Sequence, residues 1–248
     1  MNKIIKLILS INMLTLASAA YAAERAPRPG LDISAVMASP QFSNSVQTIL
    51  ALALISLVPF FLISVTSFLR IIIVLSVIRT AIGTAQIPPN PVLIGLAIFM
   101  TVFIMNPVWE QVNKEAVIPY NNRSITQQLA FERGMKHINA FMVRQTRPRD
   151  LELFVQFSKI TPPSTPDKIP TYVLIPAFMT SELKTSFQIG FLLFVPFVII
   201  DLVVANILLS LGMFMLSPVM VSLPFKILLF VLSDGWNLII RGLMLSFR

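Results

Sequence analysis

Four apolar runs, at about 46–69, 91–109, 186–211 and 219–245, constrain this chain more than anything else in it. At 1.5 Å per helical residue each run is long enough to cross a ~30 Å hydrocarbon layer. A polar stretch at 110–185 holds most of the charged residues. The runs therefore pair as two hairpins around a polar domain. The first pair flanks "RIIIVLSVIRTAIGTAQIPPN" (70–90) and the second flanks "LGMFMLSPVM" (211–220). The expected fold is an all-α membrane-class protein with a first hydrophobic helical hairpin at 46–109, a polar helical domain at 110–185 and a second hairpin at 186–248. Composition agrees, since 56% of the 248 residues are hydrophobic and only 12% are charged. A soluble domain carries about a quarter charged residues.

The amino terminus reads as a cleavable signal peptide over 1–22. Lys3 and Lys6 form a basic region, "LILSINMLTLAS" a short apolar core, and Ala20 to Ala22 a small-x-small cleavage site. Residues 23–45, rich in Pro and Ser, are expected to be irregular. A mature amino terminus outside the cytoplasm places the polar domain outside as well, with both hairpin tips inward. The polar domain carries more Lys and Arg than the tips, against the usual charge bias of inner loops. Segments that are not ordinary membrane spans would remove that conflict.

Several residues suit helices that face protein rather than lipid. Pro59 and Pro196 sit mid-run, where each frees a backbone carbonyl that a neighbour must satisfy. Asp201 lies within "FVIIDLVVANILL", at a depth where a carboxylate is costly unless paired or wetted. Its candidate partners are Lys226 across the hairpin, Arg70 and Arg79. On a helix, Gly190, Phe194, Phe197, Asp201, Ala205, Leu208 and Gly212 share one face, and the small residues would admit a second helix closely.

The tip of the second hairpin is itself apolar: Gly212, Met213, Phe214 and Met215. Such a tip is stable only when covered, and one chain has too few segments to cover its own. Several copies in a ring would bring the tips together on an axis, where methionine can fill an irregular gap and repack. The plainer reading is that Met213 and Met215 end a helix at the bilayer interface. In the polar domain Phe141, Leu151, Phe154 and Phe157 recur with amphipathic spacing. They form either a small helical core or, for Phe141 and Phe154, contacts between copies. Glu182 precedes the third run and is placed to pair with a basic group of the next copy. His137 is the only histidine and reads as an ordinary polar-domain side chain.

Other function classes find little purchase. The chain has no cysteine, and it lacks HExxH, GxSxG, the phosphate-binding Gly-Lys loop and GxGxxG. The net charge of +8 is not organised into basic runs interleaved with aromatics, which argues against nucleic acid. Asp201 and Asp234 do not sit in matching surroundings, as an aspartyl protease would need. A small-solute or proton channel remains the rival reading, because proline-broken helices with a buried carboxylate suit such a path.

"PAFMTSELKTSFQIGF" (176–191) and "PFVIIDLVVANILLSLGM" (196–213) resemble the two signature stretches of the FliP family. "TSFLRIIIVLSVIRTAIGTAQIPPN" (66–90), "FMVRQTR" (141–147) and "LPFKILLFVLSDGW" (223–236) resemble it too. The resemblance covers essentially the whole mature chain, and the leader is similar to that of the flagellar branch rather than the injectisome branch. It implies a pentamer that joins FliQ, FliR and other export-apparatus subunits in a helical pore at the bacterial inner membrane, raised toward the periplasm. It further implies a conduit for unfolded flagellar subunits, without enzymatic activity or cofactor. In that family the tip is a run of three methionines that seals the pore. Here the matching positions are Met213, Phe214 and Met215, and the central phenylalanine keeps the apolar character while being stiffer. Ser186 stands where the first signature is expected to have Gly or Ala, and Asn206 where Ser or Thr is usual.

Overall fold

The computed structural model describes residues 40–84, 86–158, 160 and 169–247. The leader expected at 1–22, with its expected cleavage site, and residues 23–39 lie outside the described residues. Every regular element among the described residues is helical. The first helix, α1, is Pro40–Val65. It begins inside the stretch expected to be irregular, because proline suits the first helical position, where no N–H donor is needed. From Gln47 to Ser56 its described side chains are exposed.

The second compact unit starts at Leu57. The carboxyl end of α1 stops at a run of hydroxyl residues. Ser64 Oγ donates to Phe60 O at 2.7 Å and Thr66 Oγ1 donates to Leu62 O. Side chains that bond back to the preceding turn compete with the helix ladder and favour its end. After Ser67 the chain re-enters a helix, α2 (Phe68–Ile82), which closes on Gly83 at φ 88°. Next come α3 (Asn90–Val112), a π-helical turn at Asn113–Val117, and α4 (Ile118–Asn121). The polar region holds α5 (Gln127–Gln145) and α6 (Pro148–Phe157). A 40-residue helix, α7 (Thr171–Ser210), leads to the apolar tip, and α8 (Pro218–Leu232) and α9 (Gly235–Leu245) return from it.

This arrangement corrects the pairing expected for the first hairpin. The stretch at 70–90 is not merely the loop joining two spans. Its first half is α2, whose Ile71, Val74, Leu75 and Ile78 are among the most buried side chains. They recur at helical spacing and form one stripe. The hairpin is α2 with α3, joined at 83–89. Arg70, at the start of α2, reaches Glu182 and Ser246, whereas Ala81, near its end, accepts a hydrogen bond from Lys226. The helix therefore runs from the polar end of the subunit toward the tips. The carboxyl end of α1 belongs to the polar end, since Val65 packs in one cluster with Met105, Val108 and Phe141. The boundaries drawn at 109/110 and 185/186 fall inside continuous helix, because α3 runs on through the π-helical turn and α4 as one helical run to Asn121, and α7 begins at Thr171.

Two apolar clusters organise the unit. One, toward the tips, joins α2 with α3, α7, α8 and α9. The other, at the polar end, joins Val65 with α3, α5 and the start of α7. Helices run on through Pro59, Pro107, Pro176, Pro196 and Pro224. By length and composition three described helical runs could cross a membrane: Gln47–Val65, Asn90–Asn121 and Thr171–Ser210. A fourth is counted if α8 and α9, bent by 63° at their junction, form one span.

Candidate functional site

The tip between α7 and α8 is built by a helix-ending motif. Met213 N–H donates to Leu208 O at 2.9 Å and Gly212 N–H to Leu209 O at 3.1 Å. These are the two reverse-turn bonds of a Schellman cap, which needs a left-handed residue; Gly212 supplies it at φ 72°. Pro218 then opens α8. The cap turns the chain outward over the next three residues. Met213 is 46% exposed, Phe214 76% and Met215 fully. The three side chains expected to form a seal thus project from the end of the hairpin, with Met213 about half covered by its own chain and Phe214 and Met215 largely open.

About two and a half turns below the end of α7, the charge at Asp201 finds its partner. Lys226 Nζ lies 2.6 Å from Asp201 Oδ2, and Ser222 Oγ donates to Asp201 Oδ1 at 2.5 Å. Lys226 also reaches Ala81 O at 3.4 Å, so one ammonium ties α8 to both α7 and α2. The lysine is almost wholly buried, while about a quarter of the aspartate side chain remains accessible. Of the three basic groups considered for Asp201, the structure selects Lys226. Arg79 instead stays beside the first tip, on Asn90 Oδ1 at 2.6 Å and Pro88 O at 3.3 Å.

The inward face of α7 matches the stripe read from the sequence. Gly190, Phe197 and Leu208 are buried, with Phe194, Asp201 and Ala205 partly so, while Gly212 is exposed. A Cβ at Gly190 would lie 2.9 Å from Val77 Cγ1, so the small residue is what lets α2 approach this closely. The closely approaching helix belongs to the same chain.

Arg70 centres a second buried constellation. Its Nε donates to Glu182 Oε2 at 2.8 Å and its Nη2 to Glu182 Oε1, a fork-on-carboxylate pair. The remaining donors reach Ser246 O at 2.8 Å, Ser246 Oγ at 3.1 Å and Gln145 Oε1 at 3.1 Å. The guanidinium lies 3.8 Å from the Phe247 ring centroid. One side chain thereby joins α2, α5, α7 and the segment after α9. This corrects the expectation for Glu182: its carboxylate is fully buried and held by an arginine of its own chain, leaving nothing for a neighbour. Ser186, the departure from the first signature, is accommodated one turn on. It is buried and its hydroxyl donates to Glu182 O at 2.7 Å.

Phe141 is likewise inside the subunit. Its ring packs edge-on to Phe178 and stacks on Phe247, with centroids 6.0 and 6.4 Å away. Only 5% of Phe141 is exposed, which corrects its expected place between copies. Phe154 is half-buried against the same cluster, and Phe157 is exposed. His137 Nε2 lies 2.9 Å from Glu115 Oε2 on the π-helical turn. Among the described residues no three His, Asp or Glu side chains gather as a metal site.

Sequence reasoning missed the polar seam between α6 and α7. Asp150 is buried and paired with Lys184, while Arg147 bonds Thr185 at 3.0 Å and Gln188. The signal was faint: Asp150 sits in the first turn of α6, where an acid favours the helix dipole. Its partner lies on a distant helix.

Residues 51–243 match the model of the FliP family. The chain is 51% identical over 203 residues to the flagellar biosynthetic protein FliP of Pectobacterium carotovorum subsp. carotovorum, covering 82% of this chain and 79% of that protein. It is 51% identical over 205 residues to the protein of that name from Bacillus subtilis (strain 168), covering 83% and 93% of the two chains. Against that of Aquifex aeolicus (strain VF5) it is 48% identical over 207 residues, covering 83% and 87%. With a family model matched across most of its length and relatives near half identical over theirs, this chain belongs to the FliP family.

Proposed function

We propose that the chain is a pore-forming subunit of the flagellar protein export apparatus. In this reading five copies assemble with FliQ, FliR and other export-apparatus subunits at the inner membrane. The polar end faces the periplasm, and unfolded flagellar subunits pass along the axis. The protein conducts and does no chemistry of its own. Its relatives' shared name, flagellar biosynthetic protein, supplies the setting.

The observation that carries the reading is the tip. Met213, Phe214 and Met215 stand exposed at the end of a rigidly capped hairpin. Apolar groups held out in this way need cover, and copies meeting on an axis would provide it while closing the path to water. A hydrophobic constriction gates by dewetting. A solute or proton channel would instead use Asp201 as a polar step. Both its oxygens are engaged within the chain, by Lys226 and Ser222, which weighs against that role.

Replacing Met213, Phe214 and Met215 together by Gly or Ser should leave assembly intact and make the resting membrane leak ions. Conductance of cells expressing the complete gate measures this. An assembled variant as tight as the parent would remove the tip from the seal. Export of flagellar subunits, followed in the same strains, should persist in the leaky variants.

A further inference from the structure

A groove of about 1210 Å³ opens at the polar end, between the last two turns of α1, the middle of α3 and the outer side of α5. Small-molecule sites typically have ~300–1,000 Å³, so this space is large for a compact solute. Its walls are apolar: Phe61, Leu62, Val102 and Phe131, with Trp109 on the wall formed by α3. Along α5 the lining becomes charged, with Arg133 and Lys136 on one side and Glu132 beside them, a net of one positive charge. Both basic side chains are exposed and neither takes part in an ion pair among the described residues.

We propose that this groove binds an anionic phospholipid, with the acyl chains along α1 and α3 and the phosphate at Arg133 and Lys136. Three observations favour a lipid. The walls belong to two helices that are long and apolar enough to cross a membrane. Tryptophan is enriched at the level where acyl chains meet headgroups, and Trp109 is 43% exposed here. The change from apolar wall to basic rim follows the amphiphile itself, and Lys and Arg near a membrane surface attract anionic headgroups. A neighbouring helix would need only the apolar part and would leave the two cations unanswered.

The test uses the complex assembled with its partner subunits, extracted in mild detergent and exchanged into mixed micelles. The probes are phosphatidylglycerol and phosphatidylcholine with identical acyl chains, and native mass spectrometry reads the retained lipid. Phosphatidylglycerol should be retained preferentially. Arg133→Gln with Lys136→Gln should lower its retention at least fivefold, the effect of roughly one basic residue near a charged surface, and leave phosphatidylcholine unchanged. These exposed positions put folding at little risk. Val102→Trp, which fills the groove, should lower retention of both lipids. Equal retention of the two lipids by the parent complex would overturn the proposal. So would unchanged phosphatidylglycerol in the double variant, or efficient crosslinking of Val102→Cys to a second copy with no lipid retained.

Discussion

At the scale of single residues the two buried ion pairs differ in what they hold together. Arg70 and Glu182 are both almost inaccessible, and Arg70 also secures Gln145 and the chain after α9. Arg70→Ala leaves a buried carboxylate unpaired and should cost about 3–5 kcal/mol. Arg70→Lys keeps the charge but loses the fork and should fall between. Thermal unfolding of the detergent-solubilised subunit measures both, and an alanine variant as stable as the parent would contradict the clamp. Asp201 with Lys226 is the smaller, more open pair. Either single reversal, Asp201→Lys or Lys226→Asp, should impair assembly and motility, and the exchanged double variant should recover part of the loss. No recovery beyond the single variants would mean that Ser222 and Ala81 O, not the opposite charge, define the site. The first pair was hidden in the sequence and the second was legible there, for a physical reason. Asp201 and Lys226 lie 25 residues apart across one hairpin, so antiparallel return alone brings them level. Arg70 and Glu182 are 112 residues apart, and only the tertiary packing of α2 on α7 joins them. Phe141 was misplaced similarly: its amphipathic spacing shows that it is buried, but not in which chain's core.

At the scale of elements, periodicity and length were readable, but breaks were not. The stretch at 70–90, flanked by the first two runs, contains Arg70, Arg79, Gly83 and two prolines. Its apolar residues recur at helical spacing, and burial against α7 outweighed the charges, each of which has a partner. The junction of α8 and α9 shows the opposite case, a break inside a segment read as one run. Asp234 adopts a left-handed conformation at φ 51°, and the helices part at 63°. Trp236 packs edge-on to Phe230, with centroids 5.3 Å apart. A Cβ at Gly235 would lie 2.3 Å from Phe230 Cε2, closer than atoms can sit. Gly235→Ala should therefore displace Phe230 from the core and cost about 1–3 kcal/mol, as overpacking does. Phe230→Leu in the same chain should return part of that loss in a melting experiment. If Gly235→Ala melts with the parent, the bend does not depend on that contact.

At the scale of the whole molecule, the apolar surface exceeds what a bilayer can cover. On α7 and the tip, large exposed apolar side chains run from Leu183 to Met215. The helical part of that stripe, Leu183–Leu209, extends roughly 39 Å at helical rise, against a hydrocarbon layer of ~30 Å. Fitting it inside would take a tilt of about 40°, the upper limit for membrane helices, and the tip projects beyond it. The tip and any part of the stripe left outside the layer need cover from protein. Within the unit that starts at Leu57, α2 and α8 already pack on the buried face of α7 and leave this stripe open. Copies of the same subunit are the simplest cover, and the uncovered tip at the end of the stripe sets where they converge. Expressed without its partner subunits and extracted in mild detergent, the chain should have a native mass several times its 27.6 kDa. A mass of five copies would agree with the assembly proposed above. Changing Phe187, Phe191 and Leu192 on the outer stripe to serine should reduce that mass, since their exposure is 62%, 70% and 70%. Secondary structure by circular dichroism should be unaffected, because none of the three side chains is buried in its own chain. A parent protein that stays monomeric at every concentration would mean that the stripe is covered only by a different subunit.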